Sequence, residues 1–162
     1  MAKKDVEFYY KKALELLHKK EYDKSLELLE MVIKIEKTYK PAWSCKGIIY
    51  MEKEDYPDAL KSFENVIEID AGDTLAWYNK GYVLLLMDEF DEARKIFEFF
   101  MARHENKNDD FFKFALYLHG KSLYNLKNYE YAIISIEKAI KMDKNFKEAI
   151  ELREAIKKEA AI

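Results

Sequence analysis

The chain has 162 residues, with 28 Lys and Arg against 31 Asp and Glu, a hydrophobic share of 49%, and only four Gly and two Pro. That length supports one domain with a continuous core. The composition leaves little room for strands or long linkers, and the balanced charge offers no basic surface for nucleic acid or an anionic membrane. The single cysteine, Cys45, has no internal disulfide partner. The longest strongly apolar run, residues 82–87, is far short of the ~20 residues of a membrane helix, and the N-terminus has no leader pattern, so a cytoplasmic protein without a membrane span is expected.

A period of 34 residues organises the elements. Trp43 and Trp77, Gly47 and Gly81, Ala59 and Ala93, and Phe63 and Phe97 are each one period apart. Tyr22, Tyr56 and Phe90 hold an aromatic slot in the same register, and Tyr129 follows after 39 residues. The pattern predicts four helical hairpins, residues 6–39, 40–73, 74–107 and 113–146, with an insertion at 108–112 and a last helix at 147–160. Gly47 facing Ala59, and Gly81 facing Ala93, would let the two helices of a hairpin approach closely. Asp55, Tyr56 and Pro57 read as a helix start, and Gly72 and Asp73 as a stop followed by a cap. In the third hairpin, residues 98–110 are expected to lengthen the second helix by a turn before a loop. Phe99, Phe100, Phe111, Phe112 and Phe114 there either repack a widened junction or form an exposed patch. In the last helix Ala149, Ile150, Leu152, Ile156 and Ala160 form one apolar stripe, as a cap requires.

Residues 42–70, AWSCKGIIYMEKEDYPDALKSFENVIEID, and 76–97, AWYNKGYVLLLMDEFDEARKIF, resemble the tetratricopeptide repeat family in two near-complete copies. The outer copies are weaker, with Tyr9, Ala13 and Ser25 in the first and Leu116 in place of Trp in the fourth. No copy has the proline that often closes the repeat. The resemblance implies an all-α, right-handed alpha-alpha superhelix, or solenoid, of four hairpins with a C-terminal capping helix. It also implies a module for protein–protein interaction. Some members grip a chaperone's C-terminal carboxylate with Lys, Asn and Arg; at those places stand Tyr10, Leu14, Cys45 and Leu75, and only Asn79 matches.

No constellation for catalysis appears. His18, His104 and His119 lie far apart, without a metal-binding His pair, a Cys pair, a phosphate loop or a nucleophile elbow, so neither an enzyme nor a cofactor or metal is expected. Function then rests on the concave face that the first helix of each hairpin should line. Helical spacing places Tyr10, Leu14 and Leu17 there from the first copy, and Ile48 and Met51 from the second. The third supplies Leu75, Tyr78, Asn79, Tyr82 and Leu85, and the fourth Phe114, Tyr117, Leu118, Lys121 and Tyr124. An aromatic and aliphatic groove predicts a protein or peptide partner with an apolar or amphipathic segment. The alternative is a structural protein forming a homo-oligomer through its C-terminal helix or the aromatic patch.

Overall fold

The structure is a computed structural model that describes the backbone of residues 2–160 and side chains from Lys4 onward. Among the described residues there are helices and no strand: α1 (Ala2–His18), α2 (Tyr22–Ile35), α3 (Lys40–Glu52), α4 (Tyr56–Ile69), α5 (Thr74–Leu86), α6 (Phe90–Arg103), α7 (Asp110–Asn125), α8 (Tyr129–Met142) and α9 (Lys147–Ala160). They pair into successive hairpins, which makes the chain an all-α helical-repeat protein. They divide into two compact units, residues 1–76 and 77–162.

Every hairpin turns in the same way. Three residues link its helices, and the middle one is left-handed: Lys20 at φ 59°, Glu54 at 59°, Asp88 at 61° and Lys127 at 60°. Two hydrogen bonds close each turn. In the first, the Lys20 N–H donates to the Leu17 carbonyl at 2.9 Å and the Glu21 N–H to the Leu16 carbonyl at 2.9 Å; Glu54 and Asp55, Asp88 and Glu89, and Lys127 and Asn128 repeat the pair. This Schellman pattern satisfies carbonyls orphaned at the helix end and is usually built on glycine. None of these four residues is glycine.

Links between hairpins use carboxamide and carboxylate side chains where the repeat family often has proline. Asp70 Oδ1 accepts from the Gly72 N–H at 3.0 Å, Asn106 Oδ1 from Asn108 N–H at 3.1 Å and Asp143 Oδ1 from Asn145 N–H at 2.9 Å. Such Asx turns fold the chain back over two residues. Asp73 then caps α5 by accepting from the Ala76 N–H at 3.1 Å, as the sequence predicts.

Glycine acts differently from the expectation. A Cβ on Gly47 would lie 2.6 Å from Cζ of Phe63, and one on Gly81 3.0 Å from Ile96 Cγ2 and 3.1 Å from the Phe97 ring. The bare backbone therefore receives the large side chains of the facing helix rather than Ala59 or Ala93. Those alanines are fully buried in their own right. In the first unit Val6, Ala13, Leu29, Val32, Ala42 and Ile49 form the core, and in the second Leu116, Leu123, Ala132, Ile136, Phe146 and Ile156 do so.

The third junction absorbs its five additional residues without lengthening α6, which has 14 residues like α2, α4 and α8. The link 104–109 has two more residues than 36–39, and α7 has 16 residues where α3 has 13. The expected extra turn at 98–110 thus belongs to the start of the next helix. Asp109 directs it there, accepting from the Phe112 N–H at 2.9 Å as a side-chain cap and binding His104 Nε2 at 2.7 Å. His104 in turn stacks on Phe100 at 4.7 Å. Burial works against the Asp109 charge, but the Phe112 and His104 hydrogen bonds prevail and hold its carboxyl below the ordinary range.

Candidate functional site

In the first unit the expected strip is a graded surface. Tyr10, Leu14 and Leu17 are half-buried against the core, and the Tyr10 hydroxyl lies 3.6 Å from Cys45 Sγ. Burial, with that contact second, pushes the Tyr10 phenol up. Burial also raises the Cys45 thiol, so it is a buried filler rather than an activated nucleophile. Ile48 and Leu75 are 40% and 48% exposed, and Met51 is half-buried. Ile48 and Leu75 are the exposed members of the expected strip in this unit.

In the second unit aromatic rings dominate. Tyr78 meets Phe97 at 6.1 Å, Phe100 at 5.5 Å and Phe111 at 5.6 Å, all edge-to-face. Burial, followed by the neighbouring Tyr82, pushes its phenol up to about 12. Tyr117 packs on Phe146 at 5.1 Å; burial raises its phenol, with Glu148, Glu151 and Tyr82 adding to the effect. The Tyr124 hydroxyl donates to Glu159 at 2.6 Å, and Tyr129 donates to the other oxygen at 3.0 Å. Asn79 and Tyr82 are half-buried, and Lys121 is exposed.

Two expected residues leave the set. Leu85 and Leu118 are each only 6% exposed. Leu118 lies about 100° around the helix from Tyr117, which carries it toward the core. Leu85 sits in the last turn of α5 beside buried Val83 and Leu84, where the Asp88 N–H folds back onto its carbonyl at 3.2 Å.

The aromatic cluster at the third junction divides between the two expected uses. Phe100 is buried, Phe99 meets Trp77 at 4.3 Å in a tilted pair under the Arg103 guanidinium, and Phe112 lies beneath Lys107. Phe111 and Phe114 remain 46% and 41% exposed. Phe111 joins the strip through Tyr78, although the 34-residue register gave no slot for it. Its signal was the insertion itself.

Several depressions lie away from the strip. One of about 540 Å³ is lined by Glu30, Met31, Ile33, Lys34, Lys37, Trp43 and Asn65, and one of about 240 Å³ by Arg94, Glu98, His119, Leu123, Asn128 and Tyr131. His119 is 9% exposed and bridges Ser135 Oγ at 2.8 Å and Glu98 Oε1 at 3.2 Å. Burial lowers its pKa, with Glu98 opposing. Among the described residues no group of three His, Cys, Asp or Glu is placed to hold a metal, and no helix is long and apolar enough to cross a membrane.

Two tetratricopeptide repeat models match the chain, at residues 50–98 and 115–146. No curated protein matches it. Among solved structures, MamA 41-end from Desulfovibrio magneticus RS-1 is similar at 21% identity and TM-score 0.90, over 97% of this chain and 86% of that one. A MamA RS-1 ArsTM double mutant is similar at 20% identity and TM-score 0.89, over 96% and 85%. The first tetratricopeptide domain of Spaghetti (RPAP3), bound to the HSP90 peptide SRMEEVD, is similar at 18% identity and TM-score 0.69, over 76% and 94%. At these identities the likeness shows the fold. With four in-register hairpins, four equivalent left-handed turns and the family matches in both halves, the chain belongs to the tetratricopeptide repeat family.

Proposed function

We propose that the protein is a non-catalytic, cytoplasmic interaction scaffold, a single repeat domain that captures an apolar or amphipathic segment of a partner on its first-helix strips. In the first unit Tyr10, Leu14, Leu17, Ile48, Met51 and Leu75 would make the contact. In the second, Tyr78, Asn79, Tyr82, Phe114, Tyr117, Lys121 and Tyr124 would do so, together with Phe111. The observation that carries this reading is the exposure of Phe111 and Phe114 beside half-buried tyrosines. Large rings left partly in water gain most when a partner desolvates them. A similar domain holds the peptide SRMEEVD, but the polar clamp that grips such a carboxylate is matched here only by Asn79, so an apolar peptide fits better.

Tyr78 is a poor probe, since its ring supports Phe97 and Phe100. Peptides selected on the 162-residue protein from a random displayed library should instead be measured against a Phe111→Ala/Phe114→Ala variant. Weaker binding with an unchanged melting temperature supports the proposal. The same two rings would also serve the runner-up, a self-associating structural protein. A concentration-independent monomer by light scattering argues against it.

A further inference from the structure

Two junctions between hairpins, one in each unit, recur in register, and the same three positions of α1 carry exposed side chains. In α3, Ala42 and Ile49 are fully buried in the first unit's core and Lys46 binds Glu30 of α2. In α7 the equivalent residues Ala115 and Ser122 are buried, and His119 binds Glu98 of α6. Glu30 and Glu98 occupy the same slot two periods apart, so both of these junctions seat a carboxylate from the preceding hairpin's second helix on a cationic or imidazole side chain. The matching residues of α1 are Phe8, Lys12 and Glu15. Phe8 is 60% exposed where Ala42 and Ala115 are buried, Lys12 and Glu15 are exposed, and Lys12 Nζ stands 5.9 Å from the Phe8 ring centre. The face also carries exposed Lys4, Lys11 and, just past the helix end, Lys19; with Lys12 these four lysines stand against exposed Asp5 and Glu15 and leave it with net positive charge.

We infer that this face of α1 is a second docking surface, separate from the first-helix strips, which receives an acidic amphipathic helix of a partner seated as α2 is seated on α3. The repeated junction supplies the occupant's chemistry. It must bring a carboxylate to Lys12, as Glu30 comes to Lys46. Because Phe8 stands where the other junctions have alanine, it must also offer a small residue opposite the ring. The surplus of lysine favours an acidic helix over a basic one and would speed its approach.

Two labelled model helices decide the matter: an Ala/Leu helix with glutamates flanking its apolar stripe, and the same helix with lysines in their place. Fluorescence anisotropy with the 162-residue protein should show the acidic helix binding with a Kd on the order of tens of micromolar and at least about tenfold tighter than the basic one. Phe8→Ala should weaken it about tenfold. Lys12→Glu should remove or reverse the preference, while Phe111→Ala/Phe114→Ala should leave it unchanged. Both α1 side chains are exposed, and circular dichroism would verify that the variants stay folded. Equal affinity for the two helices, binding of neither, or loss only in the Phe111/Phe114 variant would overturn the inference. So would a wild-type oligomer that Phe8→Ala disperses, because the occupant would then be a second copy of the chain.

Discussion

Gly47 illustrates how one residue sets the distance between two helices. With a Cβ only 2.6 Å from the Phe63 ring, a methyl group there cannot be accommodated without moving a fully buried phenylalanine. Gly47→Ala should gain up to about 1 kcal/mol of helix propensity yet destabilise the fold by about 1–3 kcal/mol through overpacking. Chemical denaturation checks the sign, and a more stable variant would refute the contact. The opposite outcome is expected at Lys127, whose φ of 60° suits glycine. Lys127→Gly relieves backbone strain and loses part of the gain to unfolded-state entropy, for a net stabilisation of about 0.5–1 kcal/mol and a rise in Tm of about 1–3 °C. These two positions also mark what was legible at this scale. The tight approach at Gly47 was readable because glycine inside an apolar helix needs a reason, although its partner proved to be Phe63. The left-handed turns were invisible, since Lys20, Glu54, Asp88 and Lys127 look like ordinary surface residues and only tertiary closure places them there.

Among the elements, the third junction departs most from the repeat. Its insertion was legible as a break in spacing, but its division between a link and the first turn of α7 was not. That division depends on Asp109 reaching the Phe112 N–H and on His104 locking Asp109 in place. The same junction has His119 where the first has Lys46, and His119 faces Glu98 and Arg94 from α6 and Ser135 and Lys138 from α8. Burial lowers its folded pKa, with Arg94 and Lys138 assisting and Glu98 resisting. The unfolded chain therefore takes up a proton first as pH falls. This stability is fully present above the unfolded value of about 6.5 and is lost as pH falls through the folded value, by at most ~1.4 kcal/mol per pH unit. Comparing wild type with His119→Gln at pH 7.5 and 5.5 isolates the effect. Wild type should lose more stability on acidification than the variant, and equal losses would remove His119 from the account.

For the whole molecule, the 34-residue spacing made the fold legible because hairpins stack only if each repeat presents the same small and large residues at the same places. The strip was less legible. Helical phase placed most of its members on exposed or half-buried positions, but it could not separate Tyr117 from Leu118, or foresee that Leu85 would close into a turn. Nor could it find Phe111, which entered through the insertion rather than the repeat. The central claim is that exposed aromatic side chains on the first-helix strip hold an apolar peptide. Its most direct test is the Kd of a library-selected peptide for wild type and for Phe111→Ala/Phe114→Ala, read with Tm. A micromolar Kd that rises at least about tenfold in the variant, with Tm unchanged, is the predicted result. An unchanged Kd, or selection of peptides held through an acidic C-terminus, would contradict it.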